Sequence, residues 1–182
     1  MGENAHSISL YKANIISVGL FIPISGIFLI SYAYAWGWNK LVHDFMLLIG
    51  DIWFLLFLLV AGILAHELLH GMTWKLAGNT TWSEIKFGFN WKALAPFAHC
   101  RVPLEINAYR WGAAVPGIVL GVIPFIIGMF TGSGWFALFG YIFTITAAGD
   151  ILILWLIRNI EPGTLVQDHP ELAGCEVVQT GK

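Results

Sequence analysis

Charged residues are scarce in this sequence. Asp, Glu, Lys and Arg make up 11% of its 182 residues, whereas soluble domains usually carry about 25%. Hydrophobic residues make up 58%, and the mean hydropathy is +0.75. So few charges cannot cover the surface of a water-soluble globule, whereas a lipid bilayer accepts such a composition. We therefore expect a membrane protein.

Basic stripes, cysteine motifs and internal repeats are also lacking. The net charge of −2, without a basic stripe, argues against nucleic-acid binding. Cys100 and Cys175 form no CxxC pair and are too few for a disulfide scaffold. No repeat of about 20–50 residues is visible. The function must therefore be sought in the apolar segments.

Four apolar stretches are long enough to cross a bilayer, which requires about 20 residues. They cover approximately residues 13–36, 45–76, 109–130 and 135–157. This pattern predicts an all-α polytopic membrane protein with four transmembrane helices. We expect residues 1–160 to form one membrane-embedded domain and residues 161–182, which begin with Glu-Pro-Gly, to form a polar cytoplasmic tail.

The distribution of basic residues predicts the orientation of these helices. With four spans, the N-terminus, the middle loop and the C-terminus share one side, and only Lys40 lies on the other. Positive-inside reasoning places both termini in the cytoplasm, with the protein in the cell membrane. An alternative is a secretory signal that is cleaved at Ala33-Tyr34-Ala35. The basic residues on the predicted cytoplasmic side are Lys12, Lys75, Lys86, Lys92, Arg101, Arg110, Arg158 and Lys182.

The loop between the second and third stretches has its own pattern. Apolar and polar residues alternate from Ile85 to Trp91, which indicates a half-buried strand. Residues 93–102 are its expected partner, and Pro96 confines that partner to a sheet edge. We predict a short cytoplasmic β-hairpin over about residues 84–102, close to the membrane surface.

Three polar residues interrupt the second apolar stretch, where His66-Glu67-Leu68-Leu69-His70 forms an HExxH motif. An ionisable side chain inside a membrane costs roughly 2.5–3.5 kcal/mol on insertion scales. Histidines at i and i+4 share one helical face, so His66 and His70 can bind one metal ion while Glu67 holds a water molecule. The structural alternative is a hydrogen-bonded cluster that only locks helices together.

A catalytic zinc site usually has three protein ligands and one open position. Asp150 is the only acidic residue of the fourth stretch, and it lies eight residues before Arg158. The two histidines lie nine and five residues before Lys75. At 1.5 Å per residue, all three are about 7–14 Å from the same membrane border. Asp150 is therefore the predicted third ligand.

Other arrangements of this site remain open. Asp150 can instead hold a histidine without binding metal. Gly62, one turn before the motif, allows a neighbouring helix to approach, as do the small residues 147–149. Pro116 and Pro124 predict a kink in the third span, which is either structural or opens a gap for water or substrate. The other candidate third ligands on the cytoplasmic side are His99, Glu105, Asp168 and His169.

A membrane-helix HExxH motif followed by a later Gly149-Asp150 element resembles the site-2-type intramembrane metalloproteases. It more closely resembles the small four-helix zincin peptidases, over roughly residues 40–160. Most site-2 enzymes carry the acid before its glycine, the reverse of the order here. The resemblance implies zinc bound by His66, His70 and Asp150, with Glu67 as the catalytic general base.

The resemblance also implies a function. Zinc and Glu67 together activate water to hydrolyse a peptide bond in a membrane protein or membrane-proximal peptide. A metal-ion transporter and a non-catalytic metal-binding scaffold or sensor are the alternatives. Neither a transporter nor a scaffold hydrolyses a peptide bond, so an assay of peptide hydrolysis distinguishes the enzyme from both.

Overall fold

Helices make up most of this protein. The computed structural model describes residues 5–91, 95–169 and 171–178. A π-helical stretch covers Gly117–Val122. The helices are α1 (Leu10–Trp36), α2 (Trp38–Gly50), α3 (Ile52–Ala77), α4 (Ile106–Pro116), α5 (Ile123–Thr131), α6 (Gly134–Thr146) and α7 (Ala148–Leu156).

Three of the described helical segments are long and apolar enough to cross a membrane, so this is a membrane protein. They are Leu10–Trp36, Ile52–Ala77 and the continuous stretch Ile106–Thr131. A fourth crossing is present if α6 and α7, which meet at an angle of 47°, count as one broken span. The fourth span expected over 135–157 therefore contains a bend at Ala147, and its crossing stays a prediction.

The predicted second span, 45–76, is also divided. α2 ends at Gly50, and α3 begins after Asp51. The carboxylate of Asp51 accepts a hydrogen bond from the Phe54 backbone N–H at 3.0 Å, which satisfies a donor that the first helical turn otherwise leaves free. The Gly-Asp pair is a helix stop followed by an N-cap, and this local signal outweighs the continuous hydrophobicity around it.

The third span carries its irregularity between two prolines. Pro116 ends α4, and Pro124 lies in the first turn of α5. Proline has no backbone N–H to donate, so the π-helical stretch between them accommodates the disturbed hydrogen bonding. Gly121 faces Thr144 of α6 so closely that an added Cβ would lie 2.5 Å from its hydroxyl oxygen. The irregular turn therefore packs against α6.

Within the described residues, six short strands form two antiparallel sheets. The first is the hairpin of β2 (Ile85–Asn90) and β3 (Ala95–Cys100), which confirms the predicted strand pair. Of the strands that the structure describes, β3 pairs only with β2, so Pro96 occupies an edge strand. The second sheet has the order β1–β6–β5–β4 and contains β1 (Ala5–Ile8), β4 (Leu104–Glu105), β5 (Leu165–Asp168) and β6 (Ala173–Val177).

The second sheet corrects the expectation of an all-α protein with a polar tail. Residues 165–177 of the expected tail supply its two central strands, which pair with β1 near the N-terminus and β4 of the middle segment. All three segments consequently lie at one end of the helix bundle. Their shared core with the helix ends contains Trp74, Ile85, Cys100, Leu104, Ile106, Tyr109, Ile157, Ile160, Val166 and Cys175.

Candidate metal centre

His66 and His70 lie one turn apart on α3 and face the interior of the bundle. Each is only 8% exposed, and their ring centroids are 4.8 Å apart. The uninterrupted α3 produces this arrangement, because residues four apart occupy the same helical face. Potential ligand atoms of His66, Glu67 and His70 all lie within 4.8 Å of one another. The chain therefore presents a compact group of metal-ligating atoms.

A backbone carbonyl holds the second histidine in place. His70 donates its Nδ1–H to the carbonyl oxygen of Gly112 on α4 at 2.8 Å. Gly112 can approach α3 because it has no side chain, and an added Cβ would collide with the indole of Trp74. A hydrogen bond of this kind fixes the tautomer and orientation of a histidine ligand. Nε2 of His70 is thus the nitrogen that faces the centre.

Asp150 reaches both histidines from the first turn of α7. Its Oδ2 lies 3.0 Å from His66 Nε2, and its Oδ1 lies 3.5 Å from His70 Nε2. The bend between α6 and α7 at Ala147 positions this turn. The structure therefore brings together all the residues that the sequence predicted for the site. Their assignment as ligands and catalytic base stays a prediction.

The residues present fit a zinc ion. Two ligand atoms at about 2.0–2.1 Å from a tetrahedral zinc ion lie about 3.3 Å apart, close to the separations of Asp150 from His66 and His70. Two imidazole nitrogens and a carboxylate are also a common ligand set for catalytic zinc. His66 Nδ1 is buried without a hydrogen-bond partner among the described residues.

Glu67 lies between α3 and the hairpin. The Ala98 backbone N–H lies near its carboxylate. Backbone groups alternate in direction along a strand, so Pro96, Ala98 and Cys100 present theirs away from β2. Gln167 Nε2 binds the Cys100 carbonyl at 3.0 Å. The part of the free β3 edge around Ala98 therefore lies directly beside Glu67.

One cavity of about 750 Å³ is lined by His66, Glu67, His70 and Asp150. Apolar side chains of the helices line one part of the wall and include Ile63, Ala113 and Ile153. The strands and their connections form the polar part of the cavity wall, which includes Lys86, His99, Asp168 and His169. From the third span, the lining residues are Tyr109 and Ala113, which precede both prolines. The observed lining thus gives no support to a gap opened by the proline kink.

The other candidate third ligands have different partners. Glu105 caps α4 and accepts from the backbone N–H groups of Asn107 and Gly163 at 2.7 and 2.8 Å. These hydrogen bonds lower the pKa of Glu105 against the opposing effect of burial. His99 pairs with Asp168 at 2.6 Å, and His169 pairs with Glu176 at 3.3 Å.

Gly62 and Gly149 were both expected to let a neighbouring helix approach closely, and the structure agrees for Gly62 alone of these two. An added Cβ on Gly62 would collide with the Phe143 ring of α6, so this glycine does admit a neighbouring helix. The expectation was wrong for Gly149, because an added Cβ there meets nothing within 4 Å. Gly149 lines the cavity instead, and its missing side chain leaves space beside Asp150.

Sequence reasoning missed the interaction of Ala98 with Glu67 and the contribution of Tyr109. Tyr109 donates its hydroxyl hydrogen to Asp168 Oδ1 at 2.8 Å, so it joins the His99–Asp168 pair. The aromatic residue near the start of an apolar span carries no distinguishing signal. The one sequence signal for this part of the cavity was that His99 and Asp168 were considered as possible metal ligands.

We expect Asp150→Asn to weaken zinc binding and peptide hydrolysis together, because the amide lacks the negative charge that a metal ligand supplies. Losing a group that only orients a histidine typically costs about 10–100-fold, and we expect a larger loss for a ligand. Zinc titration of the purified variant, with exposed Glu161→Gln as the control, provides the measurement. Unchanged zinc affinity in Asp150→Asn contradicts the ligand assignment.

Comparison with known proteins identifies the chain at the family level. A family described as "Putative zincin peptidase" matches residues 59–165. No curated protein and no solved structure gives a significant match. The matched region contains the HExxH helix, the hairpin and Asp150, and it covers more than half of the chain. The protein therefore belongs to the family that is described as "Putative zincin peptidase".

Proposed function

We propose that the protein is a membrane-embedded zinc endopeptidase, similar to site-2-type intramembrane proteases, that hydrolyses a peptide bond close to the membrane surface. Family membership indicates a metallopeptidase. The observation that carries the finer proposal is the cavity, because spanning helices and strands at one end of the bundle line it together.

His66, His70 and Asp150 would hold the zinc ion. Bound zinc supplies a Lewis acid that polarises the scissile carbonyl and makes water a stronger nucleophile at neutral pH. Glu67 takes a proton from the attacking water onto a carboxylate oxygen and passes it to the amine nitrogen of the leaving peptide. The Ala98 backbone N–H lies near the Glu67 carboxylate, so the hairpin forms one side of this proton transfer site.

The depth of the residues supports cleavage near the membrane surface. His66 and His70 lie eleven and seven residues before Ala77, where α3 ends. At 1.5 Å per residue, they are about 16 and 10 Å from that end. Polar residues of the two sheets continue the cavity beyond the helices. Water and an unwound peptide can therefore meet at this depth without crossing the bilayer.

The edge of β3 supports binding of an extended substrate. A peptide bond within a helix is shielded by hydrogen bonds, so a transmembrane substrate must unwind before hydrolysis. Strand addition to a free sheet edge stabilises an extended peptide through main-chain hydrogen bonds. Pro96 lacks an N–H, and Gln167 already binds the Cys100 carbonyl. Ala98 therefore marks the centre of the short edge that remains beside Glu67.

Removal and restoration of zinc test the proposed function. Purified protein in detergent micelles is expected to cleave a transmembrane reporter close to its membrane border, to lose activity after chelation and to regain it with zinc. Mass spectrometry of the products locates the cleaved bond. Stoichiometric zinc binding without cleavage of transmembrane reporters or casein contradicts the proposal and favours a scaffold or sensor.

The proposed orientation places the sheet end of the bundle in the cytoplasm. Native Cys100 and Cys175 cannot report it, because both are fully buried. Burial raises the pKa of both thiols, and that of Cys175 to about 12. We expect Asn39→Cys, at the opposite end, to react with an impermeant maleimide in intact cells. Glu161→Cys should react only after permeabilisation. The reverse pattern overturns the orientation.

A further inference from the structure

A second polar cluster lies in the cavity, apart from the predicted zinc ligands. His99 Nδ1 lies 2.6 Å from Asp168 Oδ2, and the Tyr109 hydroxyl lies 2.8 Å from Asp168 Oδ1. The three residues come from β3, β5 and α4. The side chains of His99 and Asp168 are 19% and 15% exposed. This cluster is thus mostly enclosed but accessible from the cavity.

The hydrogen bonds assign a role to each atom of the cluster. A carboxylate only accepts, so His99 Nδ1 and the Tyr109 hydroxyl both donate to Asp168. This leaves His99 Nε2 as the ring nitrogen for a ligand in the cavity. Nε2 is an acceptor in the neutral imidazole and a donor in the protonated one, so it can bind either hydrogen-bonding group of a peptide backbone.

The cluster is connected to the predicted catalytic residues in two ways. Along β3, His99 directly follows Ala98, whose backbone N–H lies near Glu67. Across the helices, the His70 ring stacks on Trp74, and Trp74 stacks on Tyr109, with centroid separations of 5.7 and 6.3 Å. A peptide that extends along the β3 edge past Glu67 therefore comes within reach of His99.

We infer that His99 is a substrate-binding residue whose Nε2 forms a hydrogen bond with the backbone of an extended peptide, while Asp168 and Tyr109 position its ring. The inference rests on the proposed function and deepens it, because it adds a contact on the water-facing side of the cleavage site. The substrate class is an unwound peptide rather than a free metal ion or a lipid.

Two substitutions of His99 separate this role from a purely structural one. Asn places its amide near the position of Nδ1, so His99→Asn can keep the contact with Asp168 but lacks a group at Nε2. Gln is longer and places its amide near the position of Nε2. A substrate-binding role requires the Nε2 position, whereas a clasp between β3 and β5 requires only the Nδ1 position.

The experiment uses the full-length protein with Glu67→Gln, loaded with zinc in detergent micelles, so that peptide binds without being cleaved. Fluorescence anisotropy measures its affinity for a fluorescein-labelled casein peptide. Adding His99→Asn should weaken binding by about tenfold, the effect of losing one hydrogen bond worth about 1.4 kcal/mol. Adding His99→Gln should cause a smaller loss. Zinc content and thermal unfolding of each protein verify that the site and fold persist.

The outcomes distinguish the inference from the proposed function. Peptide binding that is weaker in His99→Asn than in His99→Gln, with zinc retained in both, supports the inference. Equal binding by the two variants, or weaker binding by His99→Gln, overturns it and leaves the proposed function intact. Failure of the zinc-loaded Glu67→Gln parent to bind peptide contradicts the proposed function, and the role of His99 falls with it.

Discussion

Glu67→Gln is expected to reduce peptide hydrolysis by about 10²–10⁴-fold, the usual contribution of a general base, while bound zinc remains. The amide keeps the size and polarity of the carboxylate but cannot take the proton of the attacking water. The amide oxygen of Gln can face the nearby Ala98 N–H as the carboxylate does. The change therefore removes the base with little change in packing.

Cleavage rate and zinc content must be measured on the same preparation of the Glu67→Gln protein. Exposed Glu161→Gln makes the same chemical change in the turn after α7 and serves as the control. Full activity in Glu67→Gln contradicts the assigned role. Loss of zinc together with activity indicates instead that Glu67 contributes to metal binding.

His66→Ala and His70→Ala are each expected to remove most of the bound zinc, because each deletes one of three predicted ligands. His70→Ala also leaves the carbonyl of Gly112 without the donor that lies 2.8 Å away. We therefore expect this variant to be the less stable of the two. Metal analysis of the purified proteins measures the first effect, and thermal unfolding measures the second.

His43→Ala is the matched control for the histidine substitutions. The His43 side chain is 69% exposed and lies beside Asp44 on α2, outside the residues that line the cavity. We expect this variant to retain zinc like the unaltered protein. Stoichiometric zinc in both His66→Ala and His70→Ala contradicts the metal site.

The local part of the site could be predicted from the sequence because its spacing is fixed by helix geometry. His66 and His70 are four residues apart on one helix, so no tertiary information is required to place them on the same face. Asp150 is distant in the chain, but its depth in the membrane can be counted from the flanking basic residues. Hydrophobicity and length likewise predicted the apolar helices.

The remaining features depend on contacts that hydrophobicity does not encode. β5 has four residues and β6 has five, which is too short for a reliable alternating pattern. The break at Asp51 depends on one capping hydrogen bond, and the bend at Ala147 depends on packing. The pairing of His99 with Asp168 requires the second sheet, so it could not be predicted while residues 161–182 were expected to form a tail.

The mixed origin of the second sheet has a consequence for biosynthesis. β1 is translated before every spanning helix, yet its partner β6 is translated after all of them. The HExxH helix and Asp150 therefore emerge from the ribosome before the strands that complete the cavity wall at Asp168 and Gly174. Pairs so far apart in sequence form late, because closing long loops is entropically costly. A nascent chain consequently carries the metal-binding residues before it has the enclosure in which a peptide is held.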